Sequence, residues 1–326
     1  MRSFGRALGR VLFWLGIALA ALWLFGPREE LRLGSDFDPA VLPADLDSWL
    51  AGHEAAAGDI LPGAEKRILW AGAPGARTPV AIVYLHGFTA TAEELHPVPD
   101  MVAQALGANL FLTRLAGHGL DGAALDRARA GDWVDDLAEA VAIGGRLGGK
   151  VYLIATSTGG TLAALAANDP RLSERISGIV FVSPNFGAAH PAGRFLTWPL
   201  ARHWLPLAAG PEVELQPLSA RHDRYWTLRF PSTAVLQVTA LAEAAARMDY
   251  TGTPTPALFL YSPEDRVVST RRIEDIAGQW GGPVLIEPVA LGEGDDPLRH
   301  VLAGDVLSPG QTARVAERIV EWIGSH

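Results

Sequence analysis

The stretch Lys150-Val151-Tyr152-Leu153-Ile154-Ala155-Thr156-Ser157-Thr158-Gly159-Gly160-Thr161-Leu162-Ala163-Ala164-Leu165-Ala166-Ala167 runs from an apolar strand, through small residues around one serine, into a helix. That order of elements is what a nucleophile elbow looks like. A serine at such a turn is held in a strained backbone conformation with its hydroxyl exposed at the end of the strand, and its neighbours are small so that strand and helix can approach closely. The usual pattern places glycine two residues before the serine; here that position is Ala155. The match is relaxed by one methyl group. A structural small-residue turn would look similar, so the surrounding sequence decides.

Working outward, apolar runs alternate with helical patterns. Strands are expected at 67–71, 80–85, 109–113, 151–154, 178–182, 257–261 and 284–287, and helices near 93–106, 132–147, 158–168, 270–280 and 311–323. Alternation of this kind implies an α/β fold with a mostly parallel sheet covered on both faces by helices. Between Ser183 and Pro254 the alternation stops for some seventy residues carrying Phe195, Trp198, Trp204, Tyr225, Trp226 and Phe230. An insertion there reads as a cap, about 184–253, over the C-terminal edge of the sheet, where open α/β sheets bind ligands. Its aromatic residues either form its own core or line a hydrophobic pocket.

The 326 residues suffice for one large α/β domain with an insertion or for two ordinary domains, and size alone does not choose. A net charge of −9 offers no basic field for a polyanion, so nucleic acid is not an expected partner. The absence of cysteine excludes disulfides, thiolate metal sites and a cysteine nucleophile. At the N-terminus Arg2, Arg6 and Arg10 precede the uncharged run from Val11 to Gly26. Such a segment, 1–26, is a targeting or anchoring element outside the fold. Its apolar run is short of the roughly 20 residues of a spanning helix and longer than the roughly 7–15 of a cleavable signal. Apolar residues continue past the Ala18-x-Ala20 site, which favours an uncleaved anchor over secretion after cleavage. The arginines place the N-terminus inside and the rest of the chain outside the membrane. Residues 27–64 read as a linker and a lead-in helix from Pro43 to Ala57, followed by the main domain at 65–325.

A serine hydroxyl needs a base to take its proton and a carboxylate to orient that base. Of nine histidines, His300 follows the expected strand 284–287 and precedes the last helix. Asp265 directly follows the expected strand 257–261. The chain order Ser157, Asp265, His300 is that of elbow serines, with Glu264 and Asp296 as fallback acids. The oxyanion of an acyl-transfer intermediate needs two converging N–H donors. Thr158, next to the serine, supplies one; the other falls to Phe88 in His86-Gly87-Phe88-Thr89, at the end of the strand 80–85. His86 then orders that loop by hydrogen bonding. No metal or cofactor is called for.

Taken together, Val83-Tyr84-Leu85-His86-Gly87-Phe88, Arg114-Leu115-Ala116-Gly117-His118-Gly119, Asp132-Trp133, Ala155-Thr156-Ser157-Thr158-Gly159-Gly160, Ser262-Pro263-Glu264-Asp265-Arg266-Val267-Val268 and Arg299-His300 resemble the α/β-hydrolases of the carboxylesterase and monoacylglycerol-lipase type, also labelled serine-aminopeptidase-like. The resemblance spans about 65–325. It implies Ser157 as nucleophile, Asp265 as acid, His300 as base, and Phe88 and Thr158 as oxyanion donors. It also implies that Gly117-His118-Gly119 is a structural turn. The chain departs from the pattern at Ala155 and at Thr158, where a bulkier residue is common.

These features point to a serine hydrolase of carboxylic esters, with a lipidic or acyl-glycerol substrate suggested by an anchored, capped, apolar site. Acyl transfer or peptide cleavage would use the same triad. A membrane-tethered binding protein on a hydrolase fold is the non-enzymatic alternative. Oligomeric state is not encoded in any feature of the chain.

Overall fold

The computed structural model describes residues 2–326. Seven strands form one sheet: β1 (Arg67–Leu69), β2 (Thr78–Leu85), β3 (Asn109–Leu112), β4 (Gly148–Thr156), β5 (Gly178–Val182), β8 (Ala257–Tyr261) and β9 (Val284–Pro288), with β6 (Glu212–Glu214) and β7 (Arg229–Pro231) lying outside it. Their spatial order is β1-β3-β2-β4-β5-β8-β9. Only β1 is antiparallel to its neighbour. The expected α/β architecture is therefore present, and its cause is legible in the strands. In β2, Ala81, Val83 and Leu85 join one apolar cluster while Ile82 and Tyr84 join another; β4 divides Val151, Leu153 and Ala155 from Tyr152 and Ile154 in the same way. Successive side chains point to opposite faces, so strands buried on both sides must be apolar throughout.

One face is covered by helices Ala130–Leu147 and Thr158–Asn168, the other by Val98–Leu106 and Thr312–Gly324. The first begins two residues before its expected start, with Asp132 in its first turn accepting the N–H of Arg129 at 2.8 Å. The expected helix 93–106 is instead a 3₁₀ turn, Ala92–Glu94, followed by helix Val98–Leu106. Pro97 and Pro99 explain the break, since proline lacks the N–H that a continuous helix would need and is tolerated at a helix start.

Between β5 and β8 lie helices Ala201–Ala209, Ala220–Tyr225 and Val235–Ala245 and a hairpin of β6 (Glu212–Glu214) with β7 (Arg229–Pro231). The β6–β7 pair lies outside the strands expected from the sequence. At the N-terminus, helix Arg2–Phe25 carries a stretch, Leu8–Phe25, long and apolar enough to cross a membrane, and none of that stretch is buried. Beyond it Glu29 accepts two hydrogen bonds from Arg202, at 2.9 and 2.7 Å, and Arg32 forks onto Asp135 at 2.9 and 2.6 Å. The lead-in helix forms as Leu46–Ala56, capped by the Asp45 carboxylate on the N–H of Ser48.

The chain passes from β2 outward to β3 and then returns across β2 to β4. Strand order thus reverses between β2 and β4, and the C-terminal ends of these two strands carry His86-Gly87-Phe88 and Ser157. A reversal of this kind opens the crevice in which α/β sheets bind ligands.

Candidate active site

Ser157 links β4 to helix Thr158–Asn168 with φ 51° and ψ −112°. A non-glycine residue with positive φ is strained by about 1–3 kcal/mol and persists only when its surroundings impose it. Here they do: the N–H of Ser157 donates to Val182 at 3.0 Å, and its carbonyl accepts from Asn185 at 2.9 Å and Thr161 at 3.1 Å. The small neighbours are required by contact. A Cβ at Gly159 would meet the Leu85 carbonyl, and one at Gly160 would lie 2.7 Å from the Cβ of Pro184. Ala155, by contrast, is paired with Leu85 and Phe181 inside the sheet, and its methyl is buried in the core. The position therefore accepts the departure from glycine without opening the turn.

His300 Nδ1 lies 2.8 Å from Asp265 Oδ2. The other Asp265 oxygen accepts the N–H groups of Val267 and Val268 at 2.8 and 2.9 Å. That arrangement assigns the Nδ1 proton to the Asp265 side and leaves Nε2 free to accept one. Burial pulls the His300 pKa down, but Asp265, followed by Glu94 and Asp296, prevails and raises it above the ordinary histidine value. Of the fallback acids, Asp296 is a backbone clamp, accepting the N–H groups of Leu298, His300 and Val301 at 2.9–3.0 Å. Glu264 is exposed and lies 3.8 Å from Arg299. Arg299 itself, next to His300, has φ 58°.

At the end of β2, His86 accepts the N–H of Leu115 on Nε2 at 3.0 Å, so its Nδ1 carries the proton toward the Gly87 carbonyl, 2.8 Å away. Burial, reinforced by His118, holds the His86 pKa well below the usual value, and burial lowers that of His118 to about 4. Both rings are neutral scaffolding. His118 packs edge-on against His86, Phe88 and Trp133, matching the structural part expected of Gly117-His118-Gly119. Gly87 lies so close to the serine that a Cβ there would be 3.1 Å from Ser157 Cβ. The N–H of Thr158 opens its helix, where backbone donors and the helix dipole favour negative charge. The Thr158 side chain is buried and takes no part in the cavity wall.

Ser157, His300 and Phe88 line one cavity of about 520 Å³. Val235, Val238 and Ala242 from helix Val235–Ala245 supply apolar wall, as do Leu215 and Leu218 beside the hairpin. Of the aromatic residues between β5 and β8, Trp226 and Phe230 reach this cavity, whereas Trp198 packs against Trp23 at 5.3 Å and against Phe195 at 4.6 Å. A larger hollow of about 610 Å³ lies between 27–32 and 200–203, ringed by Arg28, Glu29, Arg129 and Arg202, away from the serine.

Among the polar residues of the cavity, Glu94 and His222 were not singled out by sequence reasoning, and Asp296, expected as a fallback acid, serves as a clamp. His222 accepts the N–H of Leu218 on Nδ1 at 3.1 Å and stands edge-on to Trp226. Burial lowers its pKa, so it is a neutral ring. No local motif marks it. Glu94 sits in Thr91-Ala92-Glu93-Glu94, at the start of the expected helix 93–106.

This geometry agrees with three comparisons. A model of the alpha/beta hydrolase family matches residues 82–315, more than two thirds of the chain. The thermostable monoacylglycerol lipase of Bacillus sp. (strain H-257) is 29% identical over 193 residues, covering 58% of this chain and 72% of that protein. Among solved structures, one reported for the metagenome-derived lipolytic enzymes LipS and LipT superposes with TM-score 0.67 at 21% identity, covering 82% of this chain and 100% of the other. A soluble variant of monoglyceride lipase from Saccharomyces cerevisiae, in complex with a substrate analog, gives TM-score 0.62 at 11% identity, covering 83% and 97%. With its elbow serine at the strand-order reversal and a family match running from β2 into the last helix, the chain belongs to the alpha/beta hydrolase family.

Proposed function

We propose that this protein is a serine hydrolase that cleaves carboxylic esters of acyl-glycerol type through an acyl-enzyme. Ser157 attacks the ester carbonyl, and His300 takes its proton and returns it to the leaving alcohol. Asp265 holds the imidazole, and the N–H groups of Phe88 and Thr158 receive the oxyanion. Water then repeats the sequence on the acyl-enzyme. The observation that carries this reading is a strained serine sharing one apolar-walled cavity with a histidine whose far nitrogen is held by a buried aspartate. The acyl-glycerol class is supported by the lipases among its relatives and by the aliphatic wall of Val235, Val238 and Ala242. The segment 184–253 acts as the cap over this cavity, and 65–325 as the catalytic domain.

Helix Arg2–Phe25 serves as a signal anchor that leaves the catalytic domain on the outer side of the membrane. Its arginines precede the uncharged run from Val11 to Gly26, Trp23 in its last turn packs against Trp198 of the cap, and just past the helix the Pro27 carbonyl accepts the N–H of Leu200 at 2.8 Å.

Labelling by a fluorophosphonate probe, with an ester panel graded by acyl length, tests the chemistry. The wild-type chain should label and turn over monoacylglycerols, and Ser157→Ala should do neither while keeping its melting temperature. A folded wild-type protein that never labels overturns the assignment. Carbonate washing of membranes tests the anchor: a shortened, soluble product would replace anchoring by secretion.

A further inference from the structure

Glu94 is 3% exposed, lies on the wall of the catalytic cavity, and has no Lys or Arg partner among the ion pairs of the described residues. An unpaired buried carboxylate is an expensive group, retained only where its hydrogen bonds are needed. Its bonds are specific. Oε2 accepts the N–H of Gly87 at 2.7 Å and the hydroxyl of Tyr84 at 3.1 Å. The Tyr84 hydroxyl also meets Thr156 Oγ1 at 3.2 Å. Thr156 is the residue before Ser157, and Gly87 the residue before Phe88. The carboxylate oxygen therefore holds the end of β2 directly and reaches the end of β4 through the Tyr84 hydroxyl, where each strand releases its candidate catalytic group. The second oxygen is just as close, since a Cβ at Gly87 would lie 2.6 Å from Glu94 Oε1 and 3.1 Å from Ser157 Cβ.

We propose that Glu94 is a positioning residue of the hydrolytic site, whose side-chain oxygen fixes Gly87 so that the N–H of Phe88 faces the oxyanion formed at Ser157. The 3₁₀ turn that carries it is itself pinned, with Thr91 Oγ1 accepting the N–H of Glu93 at 3.3 Å. Thr89, which leaves the loop, has φ 67°, a strained value for a residue with a side chain, and its carbonyl accepts the N–H of Thr227 at 2.8 Å. Burial raises the Glu94 pKa to about 7, with the Gly87 N–H and His300 opposing the rise. The carboxyl oxygen accepts the Gly87 N–H in either protonation state, so positioning does not depend on charge. Tyr84, whose hydroxyl pKa burial pushes well up, stays a neutral donor in the network.

This inference rests on the serine-hydrolase reading, and the experiment separates the two. Steady-state hydrolysis of a soluble short-chain p-nitrophenyl ester is measured for the wild-type chain, Glu94→Gln, Glu94→Ala and Tyr84→Phe, with melting temperatures for each. Gln keeps an oxygen acceptor in the same place, so Glu94→Gln should hold kcat within about threefold. Glu94→Ala should lower kcat by about 10²-fold with KM unchanged, the scale of losing one oxyanion donor. Where Glu94→Ala does not fold, Tyr84→Phe, which removes one oxygen and keeps the ring, should lower kcat by several fold at constant KM. A folded Glu94→Ala with wild-type kcat overturns the proposal, as does a Glu94→Gln that falls as far as Glu94→Ala. A Tyr84→Phe with unchanged kcat overturns it when the alanine variant is lost. An inactive wild-type chain overturns the hydrolase reading and the proposal with it.

Discussion

His300 reaches Asp265 at 2.8 Å across a carboxylate whose other oxygen is already filled by the N–H groups of Val267 and Val268. The Asp265 side chain has no solvent exposure, so the pair cannot re-form through water. Its geometry commits Nδ1 to Asp265 and leaves Nε2 as the free imidazole nitrogen.

Asp265→Asn should therefore be more damaging than a charge deletion alone. The Asn oxygen would keep the two backbone N–H groups, turning its NH₂ toward His300 Nδ1 and forcing the proton onto Nε2. A ring in that tautomer cannot act as base. We expect kcat to fall by about 10⁴-fold with little change in melting temperature. A loss below tenfold would remove Asp265 from the mechanism.

The same pair sets the pH profile. His300 has a raised pKa, and only its neutral form accepts the serine proton, so kcat/KM should fall as pH drops through a midpoint above the ordinary histidine value of 6.5. Removing the Asp265 charge should move that midpoint toward acid in whatever activity the Asn variant retains. Stopped assays from pH 5 to 9 give the answer; a profile flat across that range contradicts His300 as base.

Ala155→Gly restores the residue usual at this point of the elbow. Ala155 is fully buried between Leu85 and Phe181, so the substitution removes packing and adds chain entropy in the unfolded state. We expect a loss of about 1 kcal/mol in urea unfolding and unchanged kcat. A gain in stability would show that the methyl strains the turn. Gly87→Ala should do the opposite, lowering kcat more than stability, because its Cβ would press on both Glu94 and Ser157.

What the sequence disclosed and what it hid have separate physical origins. Strands buried on both faces must be apolar throughout, so β2, β4, β5 and β8 stood out as runs, and the chain order of Ser157, Asp265 and His300 followed from where those runs ended. The break before helix Val98–Leu106 was written in Pro97 and Pro99 but masked by apolar periodicity. Glu94 was hidden for a stronger reason. Thr91-x-x-Glu94 has the spacing of a capping box, in which the glutamate would turn back to the Thr91 N–H; instead it crosses to Gly87, seven residues away, a contact made only by tertiary packing. His222 and the Asp296 clamp were silent likewise, because side chain to backbone bonds across a loop leave no periodic trace.

The buried Glu94 also makes a prediction about stability. Its folded pKa, about 7, lies above the 4.5 of an unperturbed glutamate, so the folded state binds the proton more tightly than the unfolded state. The sign follows: stability from this group is fully present below about pH 4.5 and is lost as pH rises through about 7. The total is on the order of 3 kcal/mol. Glu94→Gln cannot titrate, so it should unfold near the wild-type urea midpoint at pH 5 and be more stable than wild type at pH 8.5. Comparing the two chains at each pH cancels the other titrating groups they share except His300, whose pKa Glu94 itself helps to raise. If the difference between them is the same at both pH values, Glu94 is ionised throughout, and the loop it holds is paired with a charge and not with a neutral acid.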